Sequence, residues 1–239
     1  MTSRVGFAAF ALTVSLVMSA CSDPTAPRPD EDPSFRRNGG SGGTITMTQC
    51  TGVLPPGTYD HVIVPPGASC TVNGSLIRGN VLALADSRLF MSADEVLGFI
   101  KGDGADIVHI LGTTVADQIF IHNGSLSGAG GVLNVWIAGG TVVTGGNIHV
   151  ENMQADIISI VNTTVANGSI ELFDNATETF LQSEFNTVSA NVDVFRNGGA
   201  GGKFITNNTA GVAVRCFDNT GAFVIGGPNV APSREGQCF

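Results

Sequence analysis

Residues 147–165 read NIHVENMQADIISIVNTTV, and residues 166–188 read ANGSIELFDNATETFLQSEFNTV. The two segments repeat one pattern. Each opens on a short alternating strand, Ile148-His149-Val150 and then Ile170-Glu171-Leu172. A polar turn and a second strand follow, Ile157–Val161 and then Thr179–Gln182. Each closes on a threonine and a valine, Thr164-Val165 and Thr187-Val188. The interval from Ile148 to Ile170 is 22 residues. Self-similarity at a period of about 20–50 residues marks a solenoid, a propeller or an array.

The pattern extends in both directions. Aligned first strands place Val62, Val81, Phe99, Ile119, Ile148, Ile170, Val192 and Val212 in one column. The steps are 19, 18, 20, 29, 22, 22 and 20 residues, and the long step contains the Gly-rich insertion 124–131. A small or polar residue precedes each anchor: His61, Asn80, Gly98, Gln118, Asn147, Ser169, Asn191 and Gly211. Stacked turn over turn, the Asn and Gln side chains of this column can form an amide ladder. Propeller blades need about 40 residues and four strands, so turns of about 20 residues predict a parallel β-helix instead. The expectation is an all-β fold, a single-stranded right-handed parallel β-helix of about eight rungs spanning residues 44–239. No rung is stable alone, and stability accumulates from neighbour contacts.

Composition agrees. Gly is abundant at 32 residues, and only 13% of residues are charged. Apolar positions are rich in β-branched residues, as strands prefer. A net charge of −9 argues against a nucleic-acid partner, whose phosphates require Lys and Arg in numbers.

The N-terminus carries an address. Arg4 precedes the short apolar run Val5–Val17, which suits a signal peptide over residues 1–20 rather than a membrane span. Met18-Ser19-Ala20-Cys21 resembles the bacterial lipobox, although that family usually places Leu where Met18 stands. The resemblance implies lipidation of Cys21 and a membrane partner reached through that anchor. Ser22 after the cysteine implies export to an outer membrane or cell surface. Residues 21–43 are rich in Pro, Gly and acid, and read as a disordered tether.

Arg78-Gly79-Asn80-Val81 and Gly146-Asn147-Ile148 resemble the turns of exported bacterial β-helix repeat proteins. Cys216-Phe217-Asp218-Asn219 and Gly236-Gln237-Cys238 are similar to the closing segment of many such chains. The resemblance covers residues 44–239 and implies the fold, not an activity.

Cys21 set aside, four cysteines allow three pairings. Cys50 and Cys70 lie one repeat apart near the first rungs, and Cys216 and Cys238 are similarly spaced near the last. Local pairs Cys50–Cys70 and Cys216–Cys238 are expected, because the other pairings join opposite ends of a rod.

The residue after each anchor faces outward on this register: Ile63, Leu82, Ile100, Phe120, His149, Glu171, Asp193 and Ala213. The first four form a candidate apolar contact patch. His149, Glu151, Glu171 and Asp193 form a candidate binding face. Stacked carboxylates can serve as oxygen ligands for a hard cation or as an acid–base pair on a sugar, and a solvated acidic surface is the plainer reading of the same residues. Lys101-Gly102-Asp103-Gly104-Ala105-Asp106 faintly resembles one unit of a Ca²⁺-binding nonapeptide repeat, which needs tandem copies. No CxxC or HxxxH spacing suggests a metal site, and no G-x-S-x-G elbow suggests a nucleophile. The expectation is no cofactor, no metal and no catalytic residue: a structural or binding module for a glycan or protein partner. A polysaccharide lyase or glycoside hydrolase using the acidic face is the alternative.

Overall fold

The computed structural model describes residues 45–125, 133–222 and 224–239. The expected signal peptide, Cys21 lipidation and tether, together with residues 126–131 of the insertion, lie outside the described residues. The described chain is all-β, and it coils through three parallel sheets in about eight turns. Ten strands from Met47–Gln49 to Ser233–Gly236 make the first sheet. Nine strands from Val53–Leu54 to Val224–Gly226 make the second. Eight two-residue strands from Thr58–Tyr59 to Thr209–Ala210 make the third. The Thr-Val pairs that close each repeat are strands of this third sheet.

Every strand pairs with its counterpart one turn away, so inward residues stack in continuous lines. In the first sheet the line is Val62, Val81, Ile100, Ile119, Ile148, Ile170, Val192 and Val214. Every one of these residues is buried. Burying each such side chain contributes about 1.5–3 kcal/mol before conformational entropy is counted. Two anchors of the sequence alignment are thereby corrected: Ile100 replaces Phe99, and Val214 replaces Val212. In both places two apolar residues compete for one inward slot. The ladder selects the one that continues the line, and Val212 is left exposed.

The early turns advance 19 residues and the later ones 22. The second sheet absorbs the difference. Its strands grow from five residues at Arg88–Ser92 and Ile107–Leu111 to eight at Gln154–Val161 and nine at Ala176–Glu184. A register shift between Ala155 and Ile157 accommodates the added length.

The corners carry the polar interior. After the first sheet, a residue in left-handed conformation turns the chain, as at Asp174 (φ 54°), Arg196 (φ 54°) and Asp218 (φ 57°). The next residue points inward: Asn175, Asn197 and Asn219, all buried. Nδ2 of Asn175 donates to Oδ1 of Asn197 at 2.9 Å, and Nδ2 of Asn197 to Oδ1 of Asn219 at 3.0 Å. Each Nδ2 also donates to a carbonyl of the preceding turn, at Val150, Leu172 and Val194. The backbone N–H of Asn175 and Asn197 donates to the same Oδ1 acceptors.

A second ladder fills the corner after the second sheet. Asn186, Asn208 and Asn229 link by Nδ2–Oδ1 bonds of 3.0 and 3.1 Å. Thr163, Thr141 and Thr113 continue this column, and Asp94 and Ser75 follow. The Asp94 carboxyl is held above the usual range by burial, opposed by backbone N–H bonds from Ser75 and Ser92.

The expected amide ladder before the first sheet is instead a set of side-chain-to-backbone bonds. His61 Nδ1 accepts from the Asn80 N–H, and Asn147 Oδ1 accepts from the Ser169 N–H. That corner is drawn tight: a side chain on Gly98 would lie 2.7 Å from the Gly79 carbonyl oxygen. Phe99 and Ala213 occupy the places assigned to Gly98 and Gly211.

Cys50 and Cys70 meet at disulfide distance, with Cα atoms 5.4 Å apart, and Cys216 and Cys238 likewise at 5.3 Å. Each pair ties an end turn to its neighbour, where an open edge invites fraying.

One residue of the second sheet's inward apolar line is a lysine. Lys203 follows Leu181 in the second sheet's apolar line and is fully buried, its Nζ donating to the Gly201 carbonyl at 2.7 Å. Burial lowers its pKa, and Glu178 opposes that shift. A buried ammonium with so few acceptors costs stability.

Two substitutions test this interior. Asn197→Ala removes one link and strands its neighbours, lowering unfolding free energy by about 1–3 kcal/mol in urea titrations. The exposed control Gln154→Ala changes it by less than about 0.5 kcal/mol. Lys203→Met raises the urea midpoint, by about 1–2 kcal/mol equivalent.

Candidate functional site

Outward residues of the first sheet form two columns. The first reads Ile63, Leu82, Lys101, Phe120, His149, Glu171, Asp193 and Arg215. The expected apolar patch is broken by this register. Ile100 is an inward core residue, and Lys101 holds the outward place. The second column reads Asp103, His122, Glu151, Phe173, Phe195 and Phe217.

Three of the four candidate residues come together. Nδ1 of His149 lies 2.7 Å from Glu171 on the next turn, and its Nε2 lies 3.0 Å from Glu151 on its own strand. Nδ2 of Asn147 donates to the other Glu171 oxygen at 3.0 Å. Burial lowers the His149 pKa, and the bonds to Glu171 and Glu151 more than offset it, so the imidazole sits above its ordinary value. His122, facing Asp103 at 3.6 Å, is pulled below its ordinary value by burial, against that carboxylate.

Asp193, the fourth, follows Glu171 in the column but belongs to a different pair. Arg215 grips it with two parallel bonds of 2.7 Å, a fork geometry stronger than single contacts. The carboxylate is buried and the guanidinium half-buried. Sequence reasoning missed Arg215, because an anchor at Val212 places Ala213 in its column. The 22-residue spacing from Asp193 to Arg215 is the signal that finds it.

Aromatic rings fill the spaces between charges. The Phe120 and His149 centroids are 5.0 Å apart, and His149 meets Phe173 edge-on at 5.4 Å. Phe173 and Phe195 stack at 5.3 Å with planes 8° apart, and Phe217 continues at 5.7 Å. The Arg215 guanidinium lies 5.7 Å from the Phe195 centroid.

Lys101 and Asp103 pair at 3.4 Å, and Gly104 of the same turn adopts φ 69°, so the Gly-Asp turn is explained by backbone geometry. His61 and His109 lie in other columns, His109 in an edge-on ring stack between Phe90 and Trp136 of the second sheet. Among the described residues no group of three or more His, Cys, Asp or Glu is placed to hold a metal ion.

Comparison with family models, with curated proteins and with solved structures returns no match.

The Asp193–Arg215 pair has a direct test. Arg215→Gln leaves a buried carboxylate without its partner and lowers unfolding free energy by about 1–2 kcal/mol, once solvent around the guanidinium is discounted. Asp193→Asn combined with Arg215→Gln recovers part of that loss in a double-mutant cycle.

Proposed function

We propose that the chain is an exported, lipid-anchored module that displays a β-solenoid at an outer membrane or cell surface and works by contact rather than catalysis. One observation carries the reading: the candidate carboxylates are already engaged across turns. Glu171 is held by His149 and Asn147, and Asp193 by Arg215. A general acid, base or carboxylate nucleophile must be free to exchange a proton or to attack. These groups instead bind one turn to the next.

The ring column supports the same reading: Phe173 and Phe195 stack face to face, and Phe217, tilted by 46°, continues the ridge. The ridge of rings and compensated charges suits a broad, shallow contact with a glycan chain or a protein partner. Attachment through Cys21, following the lipobox-like Met18-Ser19-Ala20-Cys21, would place that ridge beyond a membrane. The polysaccharide lyase or hydrolase reading draws on His149, a titratable group between two carboxylates.

Incubation of the mature chain with a panel of neutral and acidic polysaccharides separates the two. Contact without catalysis gives co-sedimentation with one class and no new reducing ends or unsaturated products. Turnover that vanishes in Glu171→Gln and Asp193→Asn, with circular dichroism unchanged, would establish the enzyme instead. In the producing cell, Cys21→Ser moves the chain from the membrane fraction to the soluble one.

A further inference from the structure

The grouping around His149 repeats nowhere else on the first sheet. Its two ring nitrogens reach carboxylates on two strands, Glu151 of Ile148–Glu151 and Glu171 of Ile170–Phe173. The ring is held between Phe120 of the preceding turn and Phe173 of the following one. Other turns of this face use permanent charges, Arg215 on Asp193 and Lys101 on Asp103, and the adjoining corner pairs Arg196 with Asp174. Two cations of this face exist or vanish with pH, and of these His149 bridges two carboxylates at 2.7 and 3.0 Å whereas His122 meets one at 3.6 Å.

We propose that His149 is a proton-dependent rivet between adjacent turns, so that the outward face of the first sheet is tied when His149 is charged and loosened when it is neutral. The proposal concerns the face assigned above to contact, and it deepens that reading by giving the face a regulator.

The chemistry is simple. An imidazolium carries a proton on both nitrogens: Nδ1–H bonds Glu171, and Nε2–H meets Glu151 as a charge contact at 3.0 Å. A neutral imidazole keeps one proton, so one of the two carboxylates faces a lone pair. Glu151 and Glu171 then also face each other without a cation between them. The charged groups around the rivet are few. His122 lies on Ile119–His122, and Asp103 and Lys101 lie one turn further and face His122. Asp193 follows Glu171 on Asn191–Phe195 but is taken by Arg215. None of these supplies a second cation to Glu171.

The sign follows from linkage. His149 is charged more readily folded than unfolded, so its contribution is complete below the ordinary imidazole range. It is lost as pH rises through the raised folded value. His122 has the opposite displacement, so it loses its proton at lower pH than His149 does.

The test needs no ligand, so its failure is distinguishable from failure of the contact reading. Imidazole resonances of the full mature chain are titrated by NMR. Amide exchange is followed in parallel and corrected for intrinsic pH dependence. Protection of the amides in Ile148–Glu151 and Ile170–Phe173 is expected to fall about tenfold as His149 loses its proton, the scale of one charge-assisted bond. The amides of Val81–Ala83, four turns away from Glu171, serve as the internal reference and stay constant. His149→Gln removes the pH dependence, and Glu171→Gln lowers the pH at which His149 titrates. Constant protection in the wild type, or a fall equal to that of the reference strand, overturns the proposal even if neither variant folds.

Discussion

A coil of parallel strands must change direction at three corners in every turn, and at two of them the turn-to-turn backbone bonds skip a residue, as at Asn175 between Asp174 and Ala176. Backbone N–H and C=O groups there face the interior, where an unpaired one costs about 1–3 kcal/mol. The asparagine columns answer this constraint. Asn197 accepts at Oδ1 from the backbone and side chain of Asn175, and donates from Nδ2 to Leu172 and Asn219. One side chain thus serves three successive turns. Asn208 does the same in the other corner, between Asn186, Ser183 and Asn229.

Much of the remaining structure follows from satisfied corners. With the bends fixed, the second sheet lengthens without disturbing the first and third, whose strands keep their register across the longer turns. A fixed register also gives each outward residue the same neighbour along the coil. That is why Arg215 can fork Asp193, and His149 can reach Glu171, each across one turn. The outer face is therefore assembled from cross-turn pairs. Its chemistry is a by-product of the repeat, except at His149, where the pair depends on a proton. The end turns have one neighbour each, and it is there that the two cysteine pairs stand.

The strand lines were legible because β-branched residues alternate with polar ones at a steady spacing, so Ile148, Val150, Ile170 and Leu172 could be placed inside from the pattern alone. The pattern fails where it is degenerate. Phe99 and Ile100 are both apolar, as are Val212 and Val214, and only pairing with the neighbouring turn chooses between them. That error hid Lys101 and Arg215 and suggested an apolar patch. The asparagine ladders were present as Asp174-Asn175, Arg196-Asn197 and Asp218-Asn219, evenly spaced, yet each alone reads as an ordinary turn. Lys203 defeats the pattern altogether, since alternation assigns a lysine to solvent and this one lies inside. His149, Glu151 and Glu171 were legible as neighbours. Their mutual pairing was not, because it depends on side-chain reach rather than spacing.

The central claim is that buried amide columns hold the corners. Side-chain NH₂ exchange, measured by NMR for Asn175, Asn186, Asn197, Asn208 and Asn219, tests it most directly. Bonded in continuous ladders, these groups should exchange as slowly as the backbone amides of Ile170–Phe173, far more slowly than exposed Asn167. Exchange at the rate of Asn167 would mean that the ladders do not exist in solution and that the corners are held by something else.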